Sequence, residues 1–280
     1  MRRWALIAVL VVLAACGPDI GKLEKGERAH VIRVTSGDTL ELDNGMRVFL
    51  AEVDAPYGQE PYADTARAEL ESLALHRQVE LAYGGTRRWT PRVRNDATTT
   101  ATATAQAPAE TAIADVFVES EGGRWFWLQR ELVTHGAVMA RPRHDNHARA
   151  AELLAAEAEA RAAKRGLWGL RDYRVLTVSE AVEAARTANV NCLRRDAPYR
   201  VVDARVANAE VLDRRVSLDV ETEDAASFAI VAFGDSFAQW SGAPFASLAG
   251  KRVRVHGPLG VFRDHPQLCL DDASQLEVLN

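Results

Sequence analysis

HVIRVTSGDTLELDNGMRVFLAEV, residues 30–53, is the stretch that decides the fold. Branched apolar residues alternate with polar ones along it, the two-residue period of a half-buried strand. Ser36-Gly37-Asp38 and Asp43-Asn44-Gly45 interrupt the alternation. The stretch therefore predicts two or three antiparallel strands joined by tight turns. Asn44 and Gly45 both tolerate positive φ, which suits a hairpin. An amphipathic helix is expected over EPYADTARAELESLAL, residues 60–75, with Ala66, Leu70, Leu73 and Leu75 near one stripe. RQVELAYG (77–84) reads as a further strand.

Beyond it, AIADVFVE (112–119), RWFWLQRELVTHG (124–136) and AVMARP (137–142) read as strand, helix and short strand, with Trp125, Phe126 and Trp127 in the core. HARAAELLAAEAEARAAKRG (147–166) reads as a long helix, stopped by Gly166 and preceded by Asp145 or Asn146 as its N-cap. LTVSEAVEAART (176–187) is expected to be a linker helix within 172–197. Five strands should then follow, in YRVVDARVANAEV, RRVSLDVET, FAIVAFG, KRVRVHGPLGVF and QLEVLN. Short strands at that spacing fit a small barrel over 198–280. The chain is thus mainly β with helices, in two domains.

Composition narrows the function. With 280 residues there is room for two modest cores, and a net charge of -5 excludes a generally basic nucleic-acid coat protein. Nucleic-acid contact would have to be local. TRRWTPRVR sets Arg87, Arg88, Arg92 and Arg94 around Trp89, the combination for phosphate contact and base stacking, or a solvated loop with one packed Trp. RNDATTTATATAQAPAET (94–111) reads as a disordered insertion. His144 and His147 invite a metal reading that the N-cap reading answers. FGDSF (233–237) lacks the Asp-x-x-His a hydrolase triad would need. In KRVRVHG, alternation puts Arg252, Arg254 and His256 on one face, beside Lys251.

The N-terminus is a targeting segment. Arg2 and Arg3 precede the apolar run WALIAVLVVLAA, too short to span a bilayer comfortably. The ending LAAC resembles the bacterial lipoprotein signal. It implies a signal peptide over 1–15, lipidation of Cys16, a polar tether over 16–29, and an exported, lipid-anchored protein on the periplasmic side of the cell envelope. Cys192 and Cys269 then lie in a compartment that permits disulfides, as one bridge or as two separate thiols.

SGDTLEL, GMRVFLAEVDAP, WLQRELVTHGAV and EAEARAAKRGLWG, in that order across about 30–171, resemble the thermonuclease (micrococcal-nuclease-like) family. The resemblance implies an oligonucleotide-binding (OB) barrel with helices, and 198–280 resembles a second, plainer OB barrel. It also implies calcium-dependent hydrolysis of DNA or RNA. Asp38, Asp54 and the Ala55 carbonyl match the calcium ligands. The rest of the family's site departs. Its strand arginine falls on Phe49, its general base on Tyr57, and its opening acid on Ser36. Arg92 is the nearest match to its second arginine, one residue out of register. Arg47 and Glu60 are the candidate substitutes for arginine and base, and Glu52 shares Asp54's side of the strand by alternation. Arg47 nevertheless sits about 6–7 Å along the strand from Phe49. A phenol with a pKa of about 10 is a poor base.

The expectation is a degenerate nuclease homologue that binds nucleic acid or an envelope protein. The alternatives are an active calcium-dependent nuclease with a rearranged site, and a structural envelope component.

Overall fold

The structure, a computed structural model, describes residues 19–87, 110–194, 196–212, 215–222, 227–234 and 245–279. The signal segment with Cys16, residues Arg88, Trp89, Arg92 and Arg94, the Thr/Ala insertion up to residue 109 and part of the Gly-Asp-Ser segment lie outside these. Among the described residues no helix is long and apolar enough to cross a membrane.

Two five-stranded barrels carry the chain, the first as the resemblance implied and the second as the strand spacing predicted. The first contains β1 (Glu24–Ser36), β2 (Thr39–Leu42), β3 (Arg47–Leu50), β5 (Gln78–Tyr83) and β6 (Thr111–Glu119). Short β4 (Val53–Asp54) and β8 (Met139–Ala140) pair with each other, and β7 (Trp125–Trp127) extends β6. The barrel closes in the order β1-β2-β3-β6-β5 and back to β1, with β3 and β6 parallel. Its core is the inward set of the alternation, including Val31, Leu40, Leu42, Val48, Leu81, Val116 and Val118. Each fully buried side chain of this kind contributes about 1.5–3 kcal/mol. Helices α1 (Ala63–Ala74) and α2 (Leu128–His135) pack on this core through Leu70, Leu128 and Leu132.

Three local readings change. Strand β1 starts at Glu24, inside the expected tether, because Glu24–His30 pairs with β5. The β2–β3 hairpin places only Gly45 at positive φ (85°), so Asp43-Asn44-Gly45 is a three-residue loop ending in a left-handed glycine. Helix α3 runs Ala150–Ala162 with Arg149 at its N-cap and no side-chain cap. Asn146 instead donates to the Thr86 carbonyl at 3.2 Å.

The second barrel contains β9 (Tyr199–Leu212), β10 (Arg215–Val220), β11 (Ala229–Phe233), β12 (Arg252–Phe262) and β13 (His265–Leu270). It closes as β9-β10-β11-β13-β12 and back to β9, with β11 and β13 parallel, and β14 (Leu276–Leu279) added on β12. This is the strand order of the first barrel, so both are OB-like. β13 was not among the expected strands. Helix α4 (Val178–Ala188) is no free linker: a Thr177–Glu180 capping box starts it, and Ala181, Val182 and Ala185 lie in the second core. A disulfide joins Cys192 to Cys269 across a sequence separation of 77.

Candidate functional site

The β1–β2 turn and the turn after β4 meet at one end of the first barrel. A Cβ on Gly37 would lie 2.8 Å from that of Ala55, so only glycine lets the two turns pack this closely. Asp38 accepts from the hydroxyls of Ser36 (2.6 Å) and Thr39 (2.8 Å). Its carbonyl accepts from the Leu50 N–H at 2.9 Å, fixing the turn on β3. The fold thus brings Asp38, Asp54 and Ala55 to one neighbourhood.

Asp54 is not left for a metal. Its Oδ1 accepts from Arg141 Nη1, across the β4–β8 pair. The Arg141 backbone N–H donates to the Glu52 carbonyl at 2.7 Å. Burial alone would lower the pKa of this guanidinium, but the charge and hydrogen bond of Asp54 hold it above its ordinary value. Its open face stacks on Tyr199, 5.1 Å from the ring centroid. The Tyr199 hydroxyl donates to the Ala140 carbonyl (3.1 Å) and accepts from Gln275 Nε2 (3.1 Å). The second barrel therefore holds Arg141 against Asp54.

A calcium ion about 5 Å from that guanidinium would meet a repulsion of about 7 kcal/mol at an effective dielectric of about 20. Among the described residues no group of three or more His, Cys, Asp or Glu side chains converges. With Arg141 on Asp54, the donors present do not fit calcium.

The candidate substitutes are engaged elsewhere. Arg47 pairs with Glu41 of β2 at 3.0 Å, while Phe49 stands half-buried opposite Thr39. Glu60 accepts from the Tyr57 N–H at 2.8 Å and lies 3.9 Å from Arg200 of the second barrel. Tyr57 is 72% exposed. Arg87 pairs with Glu24 and lies 4.5 Å over the Tyr83 ring, drawn to the edge of β1.

Glu52 departs from the strand reading. Its φ of 60° breaks the alternation, and the carboxylate turns inward to 3% exposure. There Oε1 accepts from the Arg149 N–H at 3.0 Å and Oε2 has no hydrogen-bond partner. Burial pushes its pKa up to about 7. Asp115, on β6, is 1% exposed with neither oxygen hydrogen-bonded. Burial, then the nearby Glu52, pushes it up to about 7 as well. The Trp127 indole lies close enough to act on Asp115 but makes no aligned hydrogen bond. The sequence reading missed Asp115, whose one local signal is an acid inside the apolar run AIADVFVE.

The two histidines of the RPRHDNH loop hold carboxylates of the second barrel. His144 Nδ1 is 3.0 Å from Asp271 and His147 Nδ1 is 2.9 Å from Asp272. His256 shares the face of Arg252 and Arg254 by register, yet it is buried, with Nδ1 3.1 Å from Glu157 though not aligned for a hydrogen bond. Glu157 also accepts from the Ala140 N–H (2.6 Å) and Arg161 (2.9 Å). Met139, Leu167, Trp168 and Tyr173 complete the interface with Tyr199 and Val201 in one apolar layer.

A five-stranded barrel with helices on its closing turns, presenting a loop-lined end, is the architecture of the oligonucleotide-binding class. Within it, residues 47–169 match the family model described as Staphylococcal nuclease homologue. The match begins with β3, so it includes Phe49, Asp54, Tyr57 and Arg141 and leaves Asp38 outside. No curated protein matches the chain.

Proposed function

We propose that this is an exported, lipid-anchored protein that keeps the nuclease fold without its hydrolytic chemistry, and that it acts at the envelope by binding nucleic acid or another protein. The observation that supports this reading is the composition of the would-be phosphate face. Phe49 and Tyr57 occupy the arginine and base positions of the resemblance, and Arg47 and Glu60 are spent on Glu41 and on the Tyr57 backbone. Losing even one preorganised donor to a developing oxyanion costs about 3–4 kcal/mol of transition-state stabilisation. Here both an arginine and the base are replaced, and the candidate substitutes Arg47 and Glu60 hold other partners.

The test is cleavage of denatured DNA by residues 17–280, with calcium and with chelator, beside an Asp54→Ala control. The expected result is no calcium-dependent cleavage by folded protein. Cleavage that needs calcium and disappears in the control refutes the reading. Retention of single-stranded DNA on the same protein, weakening steeply with added salt, would assign the binding role to nucleic acid.

A further inference from the structure

We infer that Arg141 is a resident cation, which takes the place of a divalent ion at Asp54 and is locked there by Tyr199 of the second barrel. The guanidinium meets the Asp54 carboxylate directly, lies over the Tyr199 ring at 5.1 Å, and is anchored through its own backbone N–H on the Glu52 carbonyl. Both carboxylate and guanidinium are largely removed from solvent, where a charge persists only when paired. One positive charge suffices for one carboxylate, and a second cation at the same oxygens would be repelled. Tyr199 is itself fixed at both ends of its hydroxyl, by Ala140 of the first barrel and Gln275 of its own. The second barrel is therefore what makes this end of the first barrel metal-independent.

The inference rests on the geometry of Asp54 and stands whether or not the barrel hydrolyses nucleic acid, so it is tested by metal binding and not by cleavage. Thermal unfolding and calorimetric titration of the full chain would be run with about 10 mM calcium or magnesium, on the unaltered protein and on Arg141→Gln, Arg141→Gln with Asp54→Asn, and Arg141→Lys. The unaltered protein should show no calcium-specific shift. Arg141→Gln should gain a calcium-specific rise of about 3–5 °C, the size expected of a site with a dissociation constant of about 1 mM. Adding Asp54→Asn should abolish the gain. Arg141→Lys keeps the charge and provides the arm that survives if Arg141→Gln fails to fold: it should stay blind to calcium. A calcium-specific shift in the unaltered protein or in Arg141→Lys that is lost with Asp54→Asn overturns the inference. So does a folded Arg141→Gln that gains nothing.

Discussion

Replacing Asp115 by Asn should stabilise the protein at alkaline pH and do little in acid. Asp115 sits mid-strand on β6 with both oxygens buried and lacking hydrogen bonds, facing Glu52, Arg149 and the Trp127 indole. In the unfolded chain its carboxyl ionises around 3.8, whereas in the folded protein burial delays ionisation to about 7. A folded pKa above the unfolded one means that folding retains a proton the unfolded chain releases. The stability this provides is fully present below pH 3.8 and is lost as pH rises to about 7. Each pH unit in that window removes about 1.4 kcal/mol, so about 4 kcal/mol is lost across it. Asn fills the same volume and never ionises. Urea unfolding at pH 4, 6 and 8 would measure the effect, taking the difference between the two proteins so that titrating groups not coupled to Asp115 cancel. The expected difference is within about 1 kcal/mol at pH 4 and grows to as much as about 4 kcal/mol in favour of Asn at pH 8. Parallel pH profiles, or an Asn variant less stable at pH 8, would refute the reasoning, since either means the carboxylate is held ionised by partners of its own.

Two further outcomes follow from the second barrel and its interface. Replacing Cys192 and Cys269 by Ala opens a loop of 77 residues; the loop-entropy relation puts the cost at about 4–5 kcal/mol, readable as the drop in denaturant midpoint against the oxidised protein, and a loss under about 1 kcal/mol would count against it. Glu157→Ala strands the Ala140 N–H, Arg161 and His256 together and should cost about 3–5 kcal/mol, whereas Glu157→Gln keeps an acceptor for Ala140 and should cost clearly less; equal losses in calorimetric stability would show that the carboxylate is not the hub of the interface.

The elements that follow a two-residue or helical period were legible because one face of each is buried and the other is not. β13 was missed because its burial leaves no alternation to see. Every residue after His265 is buried, and Pro266 at its start reads as a strand breaker, although it pairs with Val261 at the hairpin end. The start of β1 was missed for the opposite reason. Glu24-Lys25-Gly26-Glu27-Arg28 is nearly all polar, and its strand character comes from β5, which supplies both the ladder and Glu80 as partner for Lys25 and Arg28. At the site, counting from Asp54 located Phe49 and Tyr57. No local pattern could pair Asp54 with Arg141, 87 residues later, or fix that pair through a tyrosine of the other domain. Register put His256 on the right face of β12, but that face becomes a core only where the first barrel covers it.

The charges at this end of the first barrel form a physically consistent set. A carboxylate cluster built for a doubly charged ion and an anionic substrate is balanced only while both can arrive. Here Asp54 has a permanent counter-charge, which Arg141 supplies from the position just after β8. A buried guanidinium in turn needs its flat faces covered. Tyr199 covers one, at the first position of the first strand of the second barrel. Docking of that barrel adds Arg200 near Glu60 and its carboxylates Asp271 and Asp272 on His144 and His147. Under the inference drawn above, a metal-charged cleft would have to break the Asp54–Arg141 pair that Tyr199 covers. The chain's own charges are arranged for the interface.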